Sequence, residues 1–274
     1  MSAFALTLVL LAAFLHASWN AMVKANGDRA VVIGAIAFMN FAVGSVLAAG
    51  APLPAPESWP FIVASTLIHF LYYVLIFVAY RWGDLSQVYP VSRGIAPALV
   101  ALGAFLTVGE TLSPSGWAGL GLVSLGILLL ATGRRAAGSD PRALAAALAT
   151  GLVIASYSVV DGIGVRLSQA PLGYIGWLFV FELPVALFVL ARRRASLPPG
   201  VPWIGLLGGL FSATAYGVVI YAKTVAPLGA VSAVRESSVI IAALIGVFLF
   251  GERPALKRVL SGLVVAAGVV LLVV

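Results

Sequence analysis

Two arginines stand in stretches of this sequence where charge is scarce. Arg93 lies about eight residues into the apolar run Leu85–Val108, and Arg235 about seven into Leu228–Phe250. At ~1.5 Å per helical residue, each would sit roughly 10–12 Å deep. A guanidinium inside a bilayer costs at least ~2.5 kcal/mol and marks a functional position by default. Its planar fork matches carboxylate or phosphate. The chemistry on offer is capture of an anionic group, set against snorkelling to an interface or pairing with a buried acid.

Three acids fall inside apolar runs: Asp161, Glu182 and Glu236. Glu236 follows Arg235 directly, and neighbours i and i+1 do not share a helix face, so Glu236 is expected to point elsewhere. It reads either as a proton-coupling or cation-binding carboxylate, or as a structural partner of Arg93 or Arg235. Asp161 precedes Gly162-Ile163-Gly164 and reads as an interfacial cap. Glu182 stands two residues before Pro184, where it could bond backbone freed by the proline or touch a substrate.

Aromatic and polar residues add two stripes. His69, Tyr72, Tyr73, Ile76 and Tyr80 follow helical spacing along the third apolar run, and the first of them share one face. His16, Trp19 and Asn20 form an i, i+3, i+4 set in the first run, with Tyr157 and Ser158 as counterparts in the sixth. These residues are expected to line a cavity, against the plainer readings of an interfacial aromatic belt and of helix-to-helix hydrogen bonding. Pro90 and Pro97 flank Arg93 and are expected to bend that segment. The ninth run has no interior proline, so the two halves are expected to flex unequally. No cysteine is present, and the two histidines are too few for a histidine-only metal site. No phosphate-cradling loop, metal-ligand cluster or nucleophile–base pair is apparent. The sequence therefore predicts no cofactor and no enzyme activity.

The elements that must position these side chains follow from composition. Hydrophobic residues make up 62% of 274 and charged residues 9%, against roughly a quarter charged in a soluble domain. So few charges cannot cover a water-facing surface, and mean hydropathy is +1.12. The expected class is an all-α integral membrane protein. The net charge of +7 sits in short clusters between apolar runs, which is a membrane-loop pattern and not a nucleic-acid one. No positive region precedes the first apolar run, so that run is read as a retained helix.

Spans of about 20 residues divide the chain into ten transmembrane segments: Ala3–Val23, Ala30–Gly50, Trp59–Tyr80, Leu85–Val108, Pro114–Thr132, Arg142–Val160, Leu172–Ala191, Val201–Val225, Leu228–Phe250 and Ala255–Val273. Ser113-Pro114 and Asp140-Pro141 read as capped helix starts, and Gly109 and Gly251 as left-handed helix ends.

The chain also repeats itself. Gly109-Glu110 recurs as Gly251-Glu252, Arg93 as Arg235, Tyr80 as Tyr221, and Ala17-Ser18-Trp19-Asn20 as Ala155-Ser156-Tyr157-Ser158. The predicted organisation is two five-helix repeats, 1–133 and 142–274. An odd number of spans per unit makes the repeat inverted, with a substrate site near the midplane between halves. Twelve basic residues lie in the odd connections. Arg166 and Lys223 alone lie in the even ones. That bias places the odd connections in the cytoplasm and both termini outside.

The ten spans in two halves, His16-Ala17-Ser18-Trp19-Asn20, and the Gly-Glu turn after the fourth and ninth segments together resemble the drug/metabolite transporter superfamily, in its EamA branch, over the whole length. The resemblance implies a secondary transporter that works by alternating access, exporting or exchanging amino acids and other metabolites in a bacterial inner membrane. It also implies cytoplasmic termini, where the charge count implies the reverse. The expected partners are the bilayer and a small polar substrate, anionic or zwitterionic: an amino acid, an organic acid or a phosphorus-containing acid. Arg93 and Arg235 would hold the anion, His16, Trp19, Asn20, His69, Tyr72, Tyr73 and Tyr157 would pack its body, and Glu236 would bind an amine or couple protons. The alternatives are an exporter of cationic or lipophilic compounds and a non-transporting membrane scaffold.

Overall fold

Hydrocarbon offers a backbone no hydrogen-bonding partner, so each apolar run must satisfy itself as a helix. The computed structural model describes residues 1–25, 29–82, 85–131, 140–192, 201–250 and 255–274, and its elements are all helical. They are α1 (Ala3–Ala25), α2 (Arg29–Gly50), a short 3-10 turn (Pro56–Ser58), α3 (Trp59–Trp82), α4 (Leu85–Val108), α5 (Pro114–Ala131), α6 (Pro141–Leu167), α7 (Pro171–Val180), α8 (Leu183–Arg192), α9 (Val201–Ala222), α10 (Leu228–Arg235), α11 (Ser238–Phe250) and α12 (Ala255–Val273). Nine spans in the described residues are long and apolar enough to cross a bilayer, and Pro114–Leu130 is a shorter apolar helix. The ten expected segments are thus all present. The seventh is divided into α7 and α8, and the ninth into α10 and α11. Gly251-Glu252, Arg134, Arg135, Arg193, Arg194 and Arg253 lie outside the described residues, as do the side chains of Ile76 and Tyr80.

Local signals act at several ends. Asp140 Oδ1 accepts the Arg142 N–H at 2.9 Å, and Ser113 Oγ accepts that of Gly116 at 3.1 Å. Gly109 takes φ +69°. That left-handed turn lets Glu110 N–H reach back to the Ala104 carbonyl at 3.3 Å and Gly109 N–H to that of Phe105 at 3.1 Å.

Two expectations are corrected. The sixth helix does not stop at Val160 but runs to Leu167, because Gly162 and Gly164 are packing glycines and not breakers. A Cβ on Gly162 would lie 2.5 Å from Leu228 Cδ2, and one on Gly164 would lie 2.5 Å from the Tyr174 hydroxyl. α4 runs through both Pro90 and Pro97 as one helix. The ninth segment, free of proline, is the one that breaks. At its junction Glu236 N–H donates to both Ser232 and Ala233 carbonyls, and Ser237 N–H to that of Val234. This is a tightened, 3-10-like turn.

Helix packing joins the two halves of the chain. α5 packs on α12, α6 on α3 and α4, α9 on α1 and α2, and α10 on α4, while α7 and α8 both lean on α2. Large apolar side chains such as Phe14, Leu106, Phe188 and Phe248 are exposed on the perimeter, the face that a bilayer would solvate.

Candidate functional site

α4 carries Arg93 into the interior, where it is only 3% exposed. Its Nη1 donates to Glu236 Oε1 at 3.1 Å, and Arg235 Nη1 donates to the same oxygen at 3.2 Å. The two arginines therefore converge, as the sequence requires of an anion site. The expectation that Glu236 turns away from Arg235 is overturned. That reasoning assumed an unbroken helix, whereas Arg235 ends α10 and Glu236 is its C-cap, at φ −70° and ψ −7°. The tight turn resets the angular spacing and lets both neighbours face one point.

Charge does not balance here. Two guanidiniums share one carboxylate, with Arg93 and Glu236 buried and the Arg235 side chain 11% exposed. Glu236 Oε2 and the Ser237 and Ser238 hydroxyls are buried without hydrogen-bond partners. Tyr89, one turn before Arg93, places its ring 5.5 Å under that guanidinium.

An aromatic cluster adjoins this charged node. His69 and Tyr157 stack with centroids 4.2 Å apart. Tyr72 meets Tyr157 edge-on at 5.9 Å, and Tyr73 lies 5.8 Å from Tyr72. Tyr216 of α9 closes the group against both His69 and Tyr157. His69 is held in place by Ser65, one turn earlier, through its hydroxyl and carbonyl. Of the first-helix set, His16 is buried, its Nδ1 takes the Trp19 indole N–H at 3.3 Å, and its Nε2 is buried and unpartnered. Asn20 spends its amide on the His16 carbonyl at 2.8 Å, so its donor is turned onto its own helix.

The other acids are sited differently from the sequence reading. Asp161 is no interfacial cap. It is fully buried, accepts the Tyr174 hydroxyl at 3.2 Å on Oδ1, and accepts the Tyr216 hydroxyl on Oδ2. Glu182 occupies the α7–α8 junction and accepts the Asn40 amide on Oε2 at 2.8 Å.

Glu110, from the Gly-Glu turn, binds Arg166 Nη1 at 2.6 Å and the Leu228 N–H at 2.8 Å. Arg166 also donates to the Lys223 and Ala226 carbonyls. That turn therefore ties three connections together on one side of the molecule. Lys223, read as a loop charge, is 1% exposed and gives its ammonium to the Ser158 carbonyl at 2.9 Å.

Sequence reasoning missed Asn40, Tyr89 and Tyr216. Tyr89 could have been found as the residue one turn before Arg93. Asn40 carried the signal of a lone amide in an apolar run, and its partner Glu182 lies 142 positions away. Tyr216 carried no signal beyond a lone polar aromatic in an apolar run. Among the described residues, no group of three or more metal-ligating side chains comes together.

Residues 141–274 match the model of the EamA-like transporter family. This half of the chain belongs to that family, which lies within the drug/metabolite transporter superfamily. EamA-like proteins are membrane transporters, and the many apolar helices make this chain a multi-pass integral membrane protein that would meet its small-molecule substrate within the bilayer. No curated protein is a match to the sequence. A solved protein crystal structure superposes with a TM-score of 0.75, covering 99% of this chain and 96% of its own at 20% identity, which shows a shared fold.

Proposed function

We propose that this EamA-like protein is a secondary transporter of a small anionic or zwitterionic metabolite. The observation that carries the reading is the excess of positive charge at a largely buried node, with Arg93 and the partly buried Arg235 sharing the single carboxylate of Glu236. A buried cation without a partner is strongly unfavourable, so the site demands a second anion. A substrate carboxylate or phosphorus-containing acid would supply it. An amine on the same substrate finds Glu236 Oε2, which no protein group occupies. Tyr72, Tyr73, Tyr157 and His69, with Trp19 and His16, pack the substrate's body, and Asn20 lines the same region. Amino acids, organic acids and phosphonates all fit this arrangement.

Alternating access between two inverted repeats, 1–133 and 142–274, is the proposed mechanism. Cross-packing of the halves supports it. Asn40 and Glu182 touch at a separation of 142 residues, the same separation as Arg93 and Arg235. Gly119 packs against Gly268 while Gly126 packs against Ser261. Those contacts run antiparallel, and they exchange under the same offset, since Ser261 stands 142 after Gly119 and Gly268 stands 142 after Gly126. Equivalent positions meeting one another is what a two-fold axis between opposed halves produces. The membrane proposed is a bacterial cytoplasmic one.

The test is thermal stability of the purified protein in detergent against a panel of amino acids, carboxylates, phosphates, phosphonates and organic cations. A ligand that binds the folded state raises stability by RT ln(1 + [L]/Kd). Anions or zwitterions should stabilise the wild type and lose that effect in Arg235→Gln. Stabilisation by organic cations alone, retained in Arg235→Gln, would overturn the reading and favour a cation exporter.

A further inference from the structure

Glu182 sits where the seventh span changes from α7 to α8. The turn is drawn tight by Phe181 N–H on the Trp177 carbonyl and by Glu182 N–H on that of Phe179. Pro184 has no N–H to give the Val180 carbonyl. The side chain is 8% exposed. Its Oε2 holds the Asn40 amide, and its Oε1 has no hydrogen-bond partner among the described residues. Asn40 is 6% exposed, and its own Oδ1 is buried without a partner.

The other interior acids differ in kind. Glu236 has two guanidiniums and Glu110 has one. Among the described residues neither Asp161 nor Glu182 has a cation within ion-pair distance, but Asp161 has two hydroxyl donors and Lys223 within electrostatic reach, whereas Glu182 has a single amide donor. The helices around Glu182 add no cation there. Beyond Arg29 at its start, α2 carries no titratable side chain. α3 presents Tyr73 to Glu182, while His69 is held by Ser65. Tyr157 of α6 stacks on His69. Tyr174 of α7 and Tyr216 of α9 are turned onto Asp161. Arg192 of α8 lies over the Phe188 ring.

A carboxylate removed from water without a counter-charge takes up a proton or a cation. Intramembrane acids of this kind form proton relays, and broken helices at a repeat interface are where coupling ions bind. We propose that Glu182 is the proton-carrying carboxylate of this transporter, protonated on Oε1 while the α7–α8 junction is closed and ionised when the junction opens to water. Glu236, its Oε1 held by two arginines, is then part of the anion site and not the coupling group. The coupling role rests on the transporter reading above, whereas the protonation itself does not.

Dicyclohexylcarbodiimide, which adds to protonated carboxyls in apolar surroundings, tests this on the purified full-length chain without any substrate. Adducts are located by peptide mass spectrometry across acidic to alkaline buffers. The expected result is an adduct on Glu182 that falls about tenfold per pH unit above a midpoint and exceeds that on Glu236, whose Oε1 is covered by two guanidiniums. Asn40→Leu removes a donor to the ionised form and should move the midpoint to higher pH. An unlabelled Glu182 in folded wild-type protein, labelling independent of pH, or protection by sodium at fixed pH would overturn the proposal. The first two results leave the anion panel above untouched, and a silent anion panel leaves the adduct untouched, so the two failures are distinguishable.

Discussion

Arg93 reaches Glu236 across the packing of α4 against the α10–α11 junction, Nη1 to Oε1 at 3.1 Å. Because Arg235 shares that oxygen, the three side chains do not contribute symmetrically. Glu236→Gln strands two buried cations, and losing one partner of a buried ion pair costs ~3–5 kcal/mol. Arg93→Gln leaves Glu236 still paired with Arg235, and its cost should be the smaller, about 1–3 kcal/mol. In the double variant the penalties should fall well short of their sum. Thermal melts in detergent rank the three. An Arg93→Gln variant less stable than Glu236→Gln would mean that the carboxylate is not the hub.

This ranking could not have been drawn from the sequence, and the reason is local. Ten apolar runs of bilayer length announce the number of spans, and the recurrence of Arg93 as Arg235 points to the proposed pairing of halves. Both follow from long-range composition that no single residue can disturb. The facing of Glu236 depends on one turn of backbone. Helical spacing from Arg235 gives the wrong answer because the turn is 3-10-like, and no proline or glycine announces it. Asp161 was misplaced for the opposite reason. Gly162 and Gly164 look like a stop, yet they mark close approach by Leu228 and Tyr174, and partner helices are invisible in a local window.

Asp161 offers two acceptors to two tyrosine hydroxyls. Asp161→Asn replaces one acceptor with a donor, so one buried hydroxyl must go unpaired at about 1–3 kcal/mol. Tyr216→Phe removes donor and hydroxyl together and should cost less, about 1 kcal/mol. Equal melting points for the two variants would show that Asp161 has another partner able to replace the hydroxyl.

Orientation is open to a direct test. The two basic residues of the even connections are both tied down: Arg166 by Glu110 and two carbonyls, Lys223 by the Ser158 carbonyl. Neither is a free surface charge, which sharpens the bias that places the odd connections in the cytoplasm. A periplasm-active phosphatase joined after Val274 should therefore be active, and one inserted between Gly133 and Pro141 should be silent. The reverse pattern would show that the fold's own preference outweighs loop charge.

The crossing of α5 and α12 is held by backbone approach rather than by side chains. A Cβ on Gly119 would stand 2.5 Å from the Gly268 carbonyl oxygen and 2.9 Å from the Leu272 nitrogen. Both are main-chain atoms of a facing helix, and neither can rotate away, so the helices themselves must separate. Overpacking of this kind typically costs about 1–3 kcal/mol. Gly121, two positions on, meets nothing within 4 Å, and alanine there should gain up to about 1 kcal/mol from helix propensity. Gly119→Ala and Gly121→Ala, melted side by side, should therefore shift in opposite directions. Two equal shifts would mean that α5 and α12 are not in this register, and the antiparallel crossing that supports the proposed two-fold relation would go with it.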